Sequence, residues 1–342
     1  MAYTQGDTIL DDEYNTFVTG DAAGSGTHGV ANVNSVWGSG DTDKGYGQAG
    51  TIAAVAAGAT ITATQWNNFL GRVETLAAHQ GTTVTDYSTL STGDSIAAIA
   101  TVSTDLTNVY NNRFNAAAVG TSIDTSVART SAWAGTGGPQ TITATLTLTF
   151  DSANHARYYF NAGGTVRFSF TRAGGTTSDK NSEWADTATK VGTIWHSGSD
   201  SHTVNSQALT GTTKVGGSAG GSGSAVSDIN YYDLTGTPQE LFKQYSDTSP
   251  YTANYIMVEA SVSGAVITYT CTAADEAADT GNPDYPAGGT NPASLDIVDG
   301  TFTWTAEAYP PSTAQLTSTW GCLLYTSPSP RDAALSRMPS SA

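Results

Sequence analysis

The chain has 342 residues, with 13 basic against 30 acidic side chains and a formal charge of −17 at pH 7. So acidic a surface is repelled by phosphate backbones and anionic lipid, which sets aside nucleic-acid and membrane-surface binding as expectations. Charged residues make up only 13% and glycines number 37, so solubility rests on hydroxyls and net charge, while seven Trp, 16 Tyr and nine Phe offer apolar area for a core.

The N-terminal segment 1–7 is neither basic nor apolar, so no signal peptide is expected, and no apolar run reaches the length needed to insert in a membrane. A repeat follows. Gly6-Asp7-Thr8-Ile9, leading to Glu13-Tyr14-Asn15 and Phe17, aligns without gaps with Gly58-Ala59-Thr60-Ile61, leading to Gln65-Trp66-Asn67 and Phe69. Self-similarity of this kind predicts a duplicated helical unit. In the second copy Thr62 and Gln65 have capping-box spacing, and Trp66, Phe69, Leu70, Val73, Leu76 and Ala77 recur at helical steps toward Gly81. In the first copy Tyr14, Phe17 and Val18 give a shorter helix that stops at Gly20. Between the copies, 20–50 reads as a Gly-rich loop, either mobile or packed by its own aromatics Trp37 and Tyr46. Residues 94–117 repeat the helical pattern through Ile96, Ile99, Val102, Leu106 and Val109 or Tyr110.

The period then changes. Ile142, Ala144, Leu146, Leu148 and Phe150 alternate with Thr, which predicts a half-buried strand. Residues 155–160 and 165–171 read as a hairpin around Gly163-Gly164, with Val166, Phe168 and Phe170 on one face. Further strands are expected at 254–262, 264–272 and 301–308, and helices at 182–195, capped by Ser182, and 238–245, capped by Thr237. The Gly/Ser stretch 216–224 reads as a flexible loop. The expected fold class is α+β: a mostly helical N-terminal part with a duplicated helical unit, and a β-rich, sandwich-like C-terminal part. The expected division is a duplicated helical module at 1–90, a helix and linker at 91–135, a β-rich domain at 136–321 and a tail at 322–342.

No catalytic, cofactor-binding or metal-ligating residue is expected. His28, His79, His155, His196 and His202 lack partners at ligand spacing. His79 suits a helix C-terminus and His155 a surface or interface. There is no nucleophile elbow in a strand-to-helix context, phosphate loop or dinucleotide fingerprint. Asp275, Glu276, Asp279, Asn282 and Asp284 are rich in oxygen but out of register for a calcium loop, so they read as a solvated acidic loop, as do Asp41 and Asp43.

From Cys322 the chain runs Leu323-Leu324-Tyr325-Thr326-Ser327-Pro328 and on to Arg331-Asp332, then closes with 336–342. This tail resembles a sequencing adapter read through as codons, with an index-length gap at 333–335. It is expected to be non-native, to have no structural partner, and to leave the natural sequence ending near Gly321. Cys271 would then be the one native cysteine, which leaves no disulfide and no Cys-based metal site.

Three further motifs carry a resemblance: Gly45-Tyr46-Gly47-Gln48; Ile61-Thr62-Ala63-Thr64-Gln65-Trp66-Asn67-Asn68 with His79-Gln80; and the long run Ala156-Arg157-Tyr158-Tyr159-Phe160-Asn161-Ala162-Gly163-Gly164-Thr165-Val166-Arg167-Phe168. With them the chain resembles a family of virion structural, tail-fibre-like proteins of tailed phages of marine cyanobacteria and other marine bacteria. It departs from that pattern in the Gly-rich 20–35. The resemblance implies a particle component made in the host cytoplasm, a homo-oligomer bound to other virion proteins, with no enzyme activity or cofactor. A host-glycan receptor module of the same particle is the alternative, and a polysaccharide depolymerase a distant third.

Overall fold

The computed structural model describes residues 11–20, 32–34, 52–80, 82–92, 94, 99–112, 123–134, 140–198, 202–225, 228–276, 297–311 and 323–328. Gly45–Gln48, Trp37, Asp41, Asp43 and the acidic positions beyond Glu276 lie outside them. The chain divides into two compact units: one of residues 1–120, 154–164 and 310–320, the other of 121–153, 165–309 and 321–342.

Helices α1 (Asp11–Thr19), α2 (Ala63–Gln80), α3 (Ile99–Asn111) and most of α4 (Ala153–Asn161) belong to the first unit. Helix α2 starts on a reciprocal cap, in which the Gln65 amide donates to Thr62 Oγ1 (3.2 Å) and the Thr62 amide to Gln65 Oε1 (2.9 Å). Tyr14 and Phe17 of α1 meet Trp66 and Phe69 of α2 in one ring cluster, with centroids 5.4–6.3 Å apart. Val102, Leu106 and Val109 bury the face of α3, which packs on α2.

Extended segments are bound to this frame by side chains instead of by a sheet. The Asn15 amide group donates to Val55 O (2.9 Å) and accepts from Val55 N (2.8 Å). Asn34 clasps Ile52 in the same way, and Asn67 clasps Leu90. Glu74 and Asp105 accept from the amides of Tyr87 and Thr85, and the Tyr87 hydroxyl donates to Asp105 (2.5 Å). A primary amide presents the same donor–acceptor pair as a backbone unit, so it can close a two-bond ring with an extended residue.

The second unit is built from strands. One sheet has the order β1 (Ile123–Arg129), β12 (Thr301–Tyr309), β3 (Thr165–Ala173), β4 (Thr193–His196), β7 (Thr212–Val215). The other runs β13 (Leu323–Pro328), β2 (Thr141–Thr149), β11 (Val266–Ala274), β10 (Tyr255–Ser263), β9 (Gln239–Tyr245), β8 (Gly223–Ala225), and β5 (His202–Val204) pairs with β6 (Gln207–Leu209). All pairings are antiparallel. The inner faces of the two large sheets meet where Phe168 packs on Tyr269, at 4.8 Å between ring centroids. Helix α5 (Asp179–Val191) lies against β3, β9 and β10, and its Trp184 packs on Trp133 and Phe302. On the outer face of the first sheet, Trp195, Val204, Leu209 and Tyr309 form a small second core beneath the β5–β6 hairpin.

Several expectations are corrected. The fold is not α+β with a mostly helical N-terminal part and a duplicated helical unit. Strand residues outnumber helical ones, and three antiparallel sheets stand beside five α-helices among the described residues. The two similar stretches are unequal helices of nine and 18 residues that contribute to a single aromatic cluster. Residues 155–160 form a helix, not a strand, because Ala156, Tyr159 and Phe160 bury one helical face. Gly163 (φ 90°) ends it, and Gly164 has no room for a Cβ, which would stand 2.5 Å from the Tyr159 ring.

Residues 239–245 form a strand, not a helix. A bulge beside Val258/Glu259 sets both Leu241 and Phe242 inward, and this imitates helical spacing. The other helix is capped by Ser178, not Ser182, and stops at Gly192 (φ 63°), so Thr193–His196 becomes a strand. The tail is not without a partner, since Leu323–Pro328 pairs along β2.

Replacing Asn67 by Ala would leave the Leu90 amide and carbonyl without their partner. The expected cost is about 1–3 kcal/mol per group stranded away from water. Chemical denaturation of the single variant checks this, and Asn15→Ala is expected to behave alike through Val55.

Candidate functional site

Among the described residues one group of carboxylates could hold a metal ion: Glu183, Asp186 and Asp247, with donor oxygens within 4.8 Å of one another. Helix α5 supplies the first two at consecutive turns, and the chain after β9 brings in Asp247. The cation's place is taken. The Lys190 ammonium pairs with Asp186 one turn earlier and with Asp247 Oδ1 at 3.0 Å, while the Ser246 hydroxyl donates to Glu183. Lys190 is 3% exposed, and a buried ammonium must keep its anionic partners.

Two exposed glycines of the 216–224 stretch pass close to this cluster. A Cβ on Gly217 would lie 2.2 Å from the Lys190 carbonyl oxygen, and one on Gly220 would lie 1.9 Å from an Asp247 oxygen. At Gly217 the neighbour is backbone, which leaves room only for glycine.

Two further ion pairs near α5 are closed as well. Lys180 Nζ stands 2.6 Å from Asp275 Oδ2 with both side chains buried, which withdraws Asp275 from the acidic loop read in the sequence. Asp299 accepts from the Thr176 amide and hydroxyl and from Asn181, and pairs with Arg172 at 3.3 Å. Burial raises the Asp299 carboxyl, but those bonds and the Arg172 charge outweigh it and hold the group below the usual carboxylate range.

Of the histidines, His196 is fully buried, with Nδ1 2.9 Å from the Tyr269 hydroxyl. Burial lowers its pKa from 6.5 to about 3, more than a backbone hydrogen bond to Asn230 restores. His79 lies in the last turn of α2, His155 in α4 and His202 in β5, and none joins a ligand cluster among the described residues. The Cys271 thiol is buried and pushed well up by desolvation, which removes it as a thiolate nucleophile.

Hydroxyls recur in rows on the outward faces of the two sheets. On β2, Thr143, Thr145, Thr147 and Thr149 point away from the core and sit beside Thr272, Thr270, Thr268 and Val266 of β11. On the other sheet Thr305 lies between Ser126 and Ser169, and Thr303 beside Thr171. These rows stand about 4.8 Å apart across strands and about 6.7 Å along them. The half-exposed aromatic pair of this unit is Tyr245 and Tyr255, 5.7 Å between centroids, and the Lys243 ammonium sits 3.8 Å from the Tyr255 ring centre.

The Asp186–Lys190 pair was legible from its i, i+4 spacing. Glu183 and Asp247 were not, because only the chain fold brings them together. The chain matches no protein-family model, no curated protein and no solved structure.

The pH response of the second unit follows from His196. Below pH 6.5 the unfolded chain takes up a proton that the folded chain refuses until about pH 3. Stability is therefore full above 6.5 and is lost as pH falls through that window, by about 3 kcal/mol at pH 4. Denaturation at pH 7, 5.5 and 4 reads this loss, and His196→Gln is expected to flatten it.

Proposed function

We propose that the chain is a non-enzymatic structural component of a tailed-phage particle, a tail- or fibre-associated appendage subunit that works as a homo-oligomer with other virion proteins. The observation that carries the reading is the division between inside and outside in the second unit. Groups capable of chemistry are spent on one another: Lys190 on Asp186 and Asp247, Lys180 on Asp275, His196 on Tyr269. The outward sheet faces present ordered hydroxyls, side chains that an interface can cover at small desolvation cost. The motif runs at 61–68 and 156–168 support the same reading.

A second reading, a module that binds host glycans, draws support from the half-exposed Tyr245–Tyr255 pair on the β9–β10 face. Sugar rings stack on bare aromatic faces, and here Lys243 occupies the Tyr255 ring. That weighs toward the assembly role.

Mass spectrometry of purified particles is expected to recover the protein in fixed stoichiometry, and the purified protein is expected to cleave no polysaccharide. Absence from particles would overturn the reading. Saturable oligosaccharide binding abolished by Tyr245→Ala would instead favour the receptor module.

A further inference from the structure

The ion pairs of the second unit differ in the chemistry open to them. Arg167–Glu307 and Arg172–Asp299 join a carboxylate to a guanidinium, which stays charged and is a poor nucleophile. Lys190 offers a primary amine, but its partners Asp186 and Asp247 are 45% and 34% exposed, so water competes at both carboxyl groups. Lys180 and Asp275 stand apart. Their side chains are 4% and 0% exposed, and Nζ lies 2.6 Å from Oδ2. Among the described residues this is the one amine–carboxylate ion pair with both members out of water.

Both groups are carried on fixed backbone. Lys180 is the second residue of α5, whose first turn is capped by Ser178 and held to Asp299 through Asn181. Asp275 follows β11, and its amide donates to Gln140 O at 2.8 Å. The side-chain ends therefore meet without a search. The setting also favours a neutral product. Two full charges are costly to bury, and the first turn of a helix suits an anion better than a cation.

We infer that Lys180 and Asp275 condense to an intramolecular amide, a covalent link from the start of α5 to the end of β11. One proton passes from the ammonium to the carboxylate across the existing contact, which leaves an amine facing a carboxylic acid. Nζ then attacks Cγ, and the bond from Cγ to one carboxyl oxygen breaks. That oxygen leaves as water, carrying the transferred proton and one more from the nitrogen. The amide nitrogen keeps one hydrogen, so the step balances with no other reactant. Groups held about 3–3.5 Å apart react at effective concentrations far above any in solution. An amine hydrogen-bonded to a carboxyl oxygen stands in that range of the carboxyl carbon. The same burial keeps water from returning to hydrolyse the bond. The link spans 95 positions of the chain and would restrict the unfolded state as a disulfide does, in a chain with no expected disulfide. It goes beyond the assembly reading and does not depend on it.

The test is the mass of the full chain, purified, incubated in the folded state and then denatured. It is expected to fall short of the sequence mass by one water. Trypsin is expected to leave the bond after Lys180 uncut and to release a branched peptide that joins the segments around Lys180 and Asp275. On a denaturing gel the linked chain is expected to run ahead of Lys180→Arg, which keeps a cation opposite Asp275 but cannot condense. That variant is expected at its full sequence mass. A natural chain at full sequence mass, cut by trypsin after Lys180, overturns the inference whether or not the variant folds. So does a water loss that maps to any other residue, such as cyclisation of an aspartate on its own backbone.

Discussion

The second unit turns on Tyr269. It sits on β11 at the centre of the larger sheet, its ring lies against Phe168 of the opposite sheet, and its hydroxyl reaches His196. A hydroxyl at the bottom of a sandwich must find a partner, and an imidazole nitrogen supplies one without bringing in a charge. Burial keeps that imidazole neutral, and the backbone bond to Asn230 opposes the shift only in part. The same region therefore joins the sheets by packing and sets their tolerance of acid. Phe168, Phe170, Phe302 and Trp304 extend the contact toward Trp184 and Trp133, so α5 is seated by the aromatic layer that joins the sheets.

Charge around α5 follows from that seating. Once the helix is pressed on β3, β9 and β10, Lys180, Glu183 and Lys190 are carried out of water, and each needs a counterpart from a distant stretch of chain. Asp275, Ser246 and Asp247 provide them. The cluster that looks most like a metal centre is thus a consequence of helix burial. The glycines at 217 and 220 give the chain the clearance to pass over it.

How much of this could be read beforehand depends on whether the controlling contact is local. The Thr62–Gln65 cap, the stripe from Trp66 to Ala77 and the alternation in 141–150 are set within a few residues, and the elements form where their periods place them. Residues 239–245 misled because a bulge is a property of two strands, visible only when β10 lies alongside. Residues 155–160 are rich in strand-forming aromatics, yet Ala156, Tyr159 and Phe160 fall at helical steps and mark one buried face. The Asn15 and Asn67 clasps left no local trace beyond the shared Tyr/Trp-Asn pair, and the Asn34 clasp, after Val33, left none. The candidate site was least legible, because its side chains converge from α5 and from the chain that follows β9.

The low charge content of the chain gains a physical sense from the outward threonines. A charged side chain covered by a neighbour must be paired or it costs several kcal/mol, whereas a hydroxyl can bond to another hydroxyl, to a backbone carbonyl or to a trapped water. A surface of regularly spaced threonines can therefore be covered by different neighbours without a matched set of opposite charges. Its β-branched side chains also favour the extended backbone that presents them. The proposed appendage role needs a face of that kind.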